Sequence, residues 1–71
     1  MKVRVTTNEK DQPQSKETVE TNLTFDQFLL KDFGVYENMD ELKADWDFAE
    51  ITKNKAIFKN PDYDHTFEVV G

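Results

Sequence analysis

His65 is the only histidine in the chain, and it closes the run Asp62-Tyr63-Asp64-His65. Carboxylates beside an imidazole are the groups that a metal site or an acid–base pair would use. A metal centre needs three or four convergent ligands, and His65 is the only nitrogen ligand, with no cysteine to join it. Aspartates just before a strand also serve simply as turn residues. Ser15 is the only serine, and a Ser–His–Asp triad would require it to leave a polar segment and lie rigidly against His65. Fifteen carboxylates make some pair at glycosidase-like separation inevitable, so such a pair says little without a cleft. Gly34 and Gly71 are the only glycines, which excludes a glycine-rich phosphate loop. The expectation is a non-enzymatic chain with no catalytic residues, no metal and no cofactor.

Charge is the more informative signal. Of the net charge of −6, the segment 37–50 holds −5: Glu37, Asp40, Glu41, Asp45, Asp47 and Glu50 stand against Lys43 alone. At 100° per residue, Asp40, Glu41, Asp45 and Asp47 fall opposite Met39, Leu42 and Trp46. Such a stripe is either a solvated helix face or a surface that docks on a basic partner. Lys53, Lys55 and Lys59 form the opposite cluster, to bind an acidic group or to guard a sheet edge. A net negative chain is a poor ligand for phosphate backbones, so no direct nucleic-acid binding is expected.

Seventy-one residues set the size of one domain, residues 1–71. Domains this small often carry a disulfide or metal staple, and without cysteine this one must rely on apolar packing, to which nine aromatic side chains contribute. The longest apolar run, Phe28-Leu29-Leu30, is far short of the roughly 20 residues of a membrane helix. The opening residues alternate like a strand and do not form a charged lead before an apolar block. A cytoplasmic protein away from membranes is the expectation. Eight lysines to one arginine, with many Asn, Asp and Phe, suit an AT-rich genome, bacterial or phage.

The elements follow from periodicity. Lys2–Thr7 alternates, with Val3 and Val5 on one face, and Thr18–Leu23 alternates with Val19, Thr21 and Leu23 on one side. Between them the polar stretch Asn8–Ser15, with Pro13, predicts a long, mobile loop. Thr24-Phe25-Asp26-Gln27 is a capping box, with Leu23 and Phe28 at staple positions and Gly34 as the closing cap, so a helix spans 25–33. Its apolar arc, Phe25 to Phe33, covers roughly 200°, wider than one core contact needs. Leu30 and Phe33 are thus either core or a second candidate interface. Asn38 caps a helix over 39–46 on which Met39, Leu42 and Trp46 share the core face. Phe48–Lys53 and Lys55–Lys59 read as strands about a left-handed Asn54. Asn60-Pro61-Asp62 breaks the chain before a last strand, His65–Val70. The fold class is α+β: an antiparallel sheet of four or five strands, order ββααβββ, with two short helices on one face.

Phe48-Ala49-Glu50-Ile51-Thr52, then Ile57, then Phe67-Glu68-Val69-Val70, with the opening strand, Pro13 and Glu17-Thr18, resemble the small epsilon accessory subunit of Gram-positive RNA polymerase. The likeness covers the two ends of the chain. In the middle, Val3, Val5, Gln14 and Ser15 stand where that family carries aromatics and arginines. Other short uncharacterised Gram-positive proteins share the order of elements and the Thr-Phe-Asp helix start. The resemblance implies a non-catalytic subunit of a large transcription complex and assigns no functional residue here.

The combined expectation is an acidic protein-interaction module, accessory or inhibitor-like. It would bind a larger protein with a basic surface through Glu37, Asp40, Glu41, Asp45 and Asp47. The alternatives are a phage-type DNA mimic, which would spread carboxylates over several elements, or a small structural domain.

Overall fold

A computed structural model describes all residues, 1–71. Its elements are β1 (Lys2–Glu9), β2 (Ser15–Glu20), α1 (Phe25–Phe33), α2 (Met39–Ala44), β3 (Phe48–Ile51), β4 (Lys55–Lys59) and β5 (Tyr63–Val69). All five strands are antiparallel in one sheet of order β2-β1-β5-β4-β3. The fold is therefore α+β with the order ββααβββ, and both helices lie on one face.

Helix α1 starts and stops on local chemistry. Thr24 Oγ1 accepts from the Gln27 N–H at 3.2 Å, and the Gln27 carboxamide accepts from the Thr24 N–H at 3.1 Å. Gly34 takes the left-handed conformation, φ 74°, and its N–H donates to the Leu30 carbonyl. Asn38 caps α2 through the Glu41 N–H at 2.9 Å. α2 ends at Ala44, two residues before the expected limit at Trp46, because Asp45 closes it with an N–H bond to the Leu42 carbonyl. Trp46 and Asp47 thus belong to the turn into β3.

Other details differ from expectation: β3 stops at Ile51 rather than Lys53, and β5 runs over Tyr63–Val69 rather than His65–Val70. The β1–β2 connection shrinks to Lys10–Gln14, because pairing with β2 extends β1 to Glu9 and starts β2 at Ser15. The non-glycine residue in the left-handed region is Asp11 (φ 63°), not Asn54, whose carbonyl instead accepts from the Val69 N–H. The second strand stops at Glu20, since the Thr21 hydroxyl turns the chain by accepting from the Leu23 N–H. Leu23 reaches the core as a staple beside Phe28.

Alternation divides the sheet. Val3, Ala56, Phe58 and Phe67 point inward and meet Phe28 and Leu29 of α1 and Leu42 of α2 as the buried core. The outer face is a charged register: Lys55 lies opposite Glu68, Lys59 opposite Asp64, and Glu68 opposite Arg4. Phe33 is the hub of the inner face. Its ring lies 5.2 to 5.8 Å from those of Tyr36, Trp46, Phe58, His65 and Phe67. Leu30 and Phe33 pack against the core and stay partly exposed. The large apolar side chains left exposed are Val35, Phe48, Tyr63 and Val70.

Candidate functional site

Glu37, Asp40, Glu41, Asp45 and Asp47 are all exposed, in α2 and the turns on either side of it. The capping at Asn38 and Asp45 fixes the helix, and Leu42 buries its opposite face completely. Within the chain only Asp45 has a polar partner: Oδ2 accepts from the Tyr36 hydroxyl at 2.5 Å. Burial raises the Tyr36 pKa above its ordinary 10, and the hydrogen bond to Asp45 and its charge add to this. Tyr36 was not marked as functional by its sequence context. Nothing local signals a bond nine residues long that spans a turn and a helix.

The lysine cluster is exposed, and two of its members have acidic cross-strand neighbours. Lys55 and Lys59 face Glu68 and Asp64 across the β4–β5 ladder, and only Lys53 lies outside it in the turn. Cross-strand opposite charges of this kind favour the pairing register.

His65 lies on the inner face with Thr7, not with the serine or the neighbouring aspartates. Thr7 is directly opposite both His65 and Ser15, so Ser15 stands two strands from His65, about 10 Å by strand spacing. Thr7 Oγ1 is 3.1 Å from His65 Nδ1. Tyr63 stacks on the imidazole at 5.8 Å, with Phe33 and Trp46 edge-on at 5.6 and 5.2 Å. Burial lowers the His65 pKa below 6.5, and the charges of Asp32 and Asp64 act against that shift. Asp32 is an exposed residue of α1 whose carboxyl is partly enclosed. That enclosure raises its pKa above 3.8, as does the charge of Glu17, while His65 opposes. The arrangement supports packing: an aromatic cage around the imidazole.

Two hollows mark the surface. One, about 240 Å³ and shallow, lies at the end of the sheet between Asn8–Lys10 and Asn60–Asp64. The other, about 280 Å³, separates β2 from α1 and is lined by Glu17, Val19, Phe28, Lys31 and Asp32 among others. No three His, Asp or Glu side chains converge at a spacing that would hold a metal ion. No helix is long and apolar enough to cross a membrane. No family model, curated protein or solved structure matches the chain.

Proposed function

We propose that the protein is a non-enzymatic interaction module that presents its acidic α2 end to a basic surface on a larger protein. The observation that carries this reading is the set of exposed carboxylates at Glu37, Asp40, Glu41 and Asp47, none of which has a polar partner inside the chain. Uncompensated charge concentrated on one element speeds association with an opposite surface and selects its orientation. A subunit of a transcription complex, as the resemblance of the two chain ends implies, is one specific form of this function. A DNA mimic is the less favoured form, because the carboxylates concentrate around one helix.

The experiment is affinity capture from an extract of the source cell, eluted with rising salt. Asp40→Lys with Glu41→Lys changes the charge at α2, and Lys10→Glu with Lys53→Glu changes it equally and oppositely elsewhere. The α2 variant should lose the captured partner while the control retains it. Equal retention by both variants refutes the proposal. Displacement of the partner by duplex DNA selects the mimic.

A further inference from the structure

β2 is an edge strand, and Lys16, Thr18 and Glu20 are exposed along it. The ladder decides which of its backbone groups are free. The Met1 ammonium donates to the Thr21 carbonyl at 2.8 Å, and the Thr21 N–H donates to the Met1 carbonyl at 2.9 Å. Met1 and Thr21 thus form a hydrogen-bonded pair. Antiparallel alternation makes Val3–Val19, Val5–Glu17 and Thr7–Ser15 the next such pairs. The N–H and C=O groups of Lys16, Thr18 and Glu20 therefore point away from the sheet.

This edge is complementary to itself. We infer that two copies of the chain pair antiparallel through β2, about a two-fold axis at Thr18, to form one continuous ten-stranded sheet. Thr18 then faces Thr18 of the second copy, and Lys16 faces Glu20 in both directions. All three outward residues exchange N–H···O bonds, and each Lys16–Glu20 pair brings opposite charges together. On the inner face Glu17 lies opposite Val19. Sliding the register by two residues loses this match. One direction sets Glu17 against itself, and the other sets Lys16 against Asn22. Charged side chains usually guard an edge strand against such pairing; here their order along the strand makes the guard attractive to its own copy.

Two further features allow the joint. A hollow of about 280 Å³ separates α1 from β2, so the helix is not packed tightly over the edge strand. Glu20 is held only by the Met1 ammonium at 3.7 Å and is two-thirds exposed, free to turn outward. Charge geography also favours β2 over the other edge. α2 contacts β3, and Asp47 immediately precedes it; that edge lies four strand spacings from β2, or about 19 Å, beyond the Debye length of about 8 Å at physiological salt. Pairing through β2 sends the two acidic ends to opposite extremes of the sheet, whereas pairing through β3 would bring them together.

The test is sedimentation velocity on the full chain over a concentration series reaching about 1 mM, the range of a weak interface. Dimer should appear as concentration rises. Lys16→Glu and Glu20→Lys should each weaken it by about tenfold or more, since two attractive pairs become repulsive. The double variant, Lys16→Glu with Glu20→Lys, should restore it because the pairs are inverted. Thr18→Pro should abolish the dimer with an unchanged circular dichroism spectrum, because the Thr18 N–H is unused within the chain and proline is tolerated on such an edge. Asp40→Lys with Glu41→Lys should leave dimer formation intact, which separates this inference from the proposed function. A chain monomeric at every concentration overturns the inference. So does a dimer that survives Lys16→Glu and Thr18→Pro, or a double variant that fails to recover.

Discussion

Thr7 Oγ1 lies 3.1 Å from His65 Nδ1, and this contact ties β1 to the central strand β5 on the inner face. Burial holds the His65 pKa below 6.5, partly offset by Asp32 and Asp64. The unfolded chain therefore binds more protons than the folded one between the two pKa values. The His65 contribution is fully present above about pH 6.5 and is lost as pH falls through that value toward the folded pKa. The urea midpoint should drop between about pH 7.5 and pH 5, and His65→Asn should remove part of that drop. An NMR titration of His65 with a midpoint above 6.5 would contradict this account.

Trp46 offers a different test. Its ring packs on Phe33, Phe58 and His65, and its buried Nε1–H falls short of good hydrogen-bond geometry, with the Tyr36 hydroxyl as the nearby acceptor. A buried donor with a poorly placed acceptor gives up part of the about 1–3 kcal/mol that a fully unsatisfied one costs. Trp46→Phe removes that donor along with part of the packed surface, so the two effects oppose and stability should change by less than about 1.5 kcal/mol. Trp46→Ala should cost about 3–5 kcal/mol, most of the stability expected of so small a domain. Denaturant melts of the two variants give the comparison, and equal losses would show that the indole N–H is satisfied in solution.

The parts of the fold legible in the sequence are those set by neighbours along the chain. Thr24 and Gln27 sit three residues apart and Gly34 closes the same helix, so α1 could be placed at both ends. Asp40 and Glu41 fall outside because Leu42 falls inside, again a local matter. What escaped depends on partners distant in sequence. The ends of β1 and β2 are set by their mutual register. Trp46 satisfies helical spacing yet lies in a turn, because the Asp45 N–H closes α2 on the Leu42 carbonyl. Thr7 and His65 are 58 residues apart. No local pattern could announce their bond, nor show that Phe33 gathers five rings.

Gly34 should resist replacement more than its exposure suggests. Its φ of 74° is the conformation in which a Cβ meets the neighbouring carbonyl, although the space around it is open. Gly34→Ala should cost about 1–2 kcal/mol through backbone strain alone. Asp11, at φ 63°, is the mirror case: Asp11→Gly should be neutral or slightly stabilising. Thermal melts of both variants check the pair, and a harmless Gly34→Ala would mean that the α1 cap relaxes out of the left-handed region.

The acidic residues should separate into two kinds when stability is measured. Asp40, Glu41 and Asp47 have no polar partner within the chain, and each is exposed. Their replacement by asparagine or glutamine should change stability by no more than about 0.5 kcal/mol. Relief of like-charge repulsion around α2 would place the change on the stabilising side. Asp45 differs because its carboxylate accepts the Tyr36 hydroxyl, which stands over the same inner-face cluster as Phe33. Asp45→Asn should cost about 0.5–1 kcal/mol, the lower part of the range for a hydrogen bond, since this one is exposed. It should also lower the Tyr36 titration midpoint, because two of the influences that raise it come from Asp45, while burial, the largest, remains. Urea melts and an ultraviolet titration of the tyrosines distinguish the two kinds. Equal cost at Asp40 and Asp45 would show that the α2 carboxylates act on the fold as a group, and that charge reversal there is no clean probe of binding.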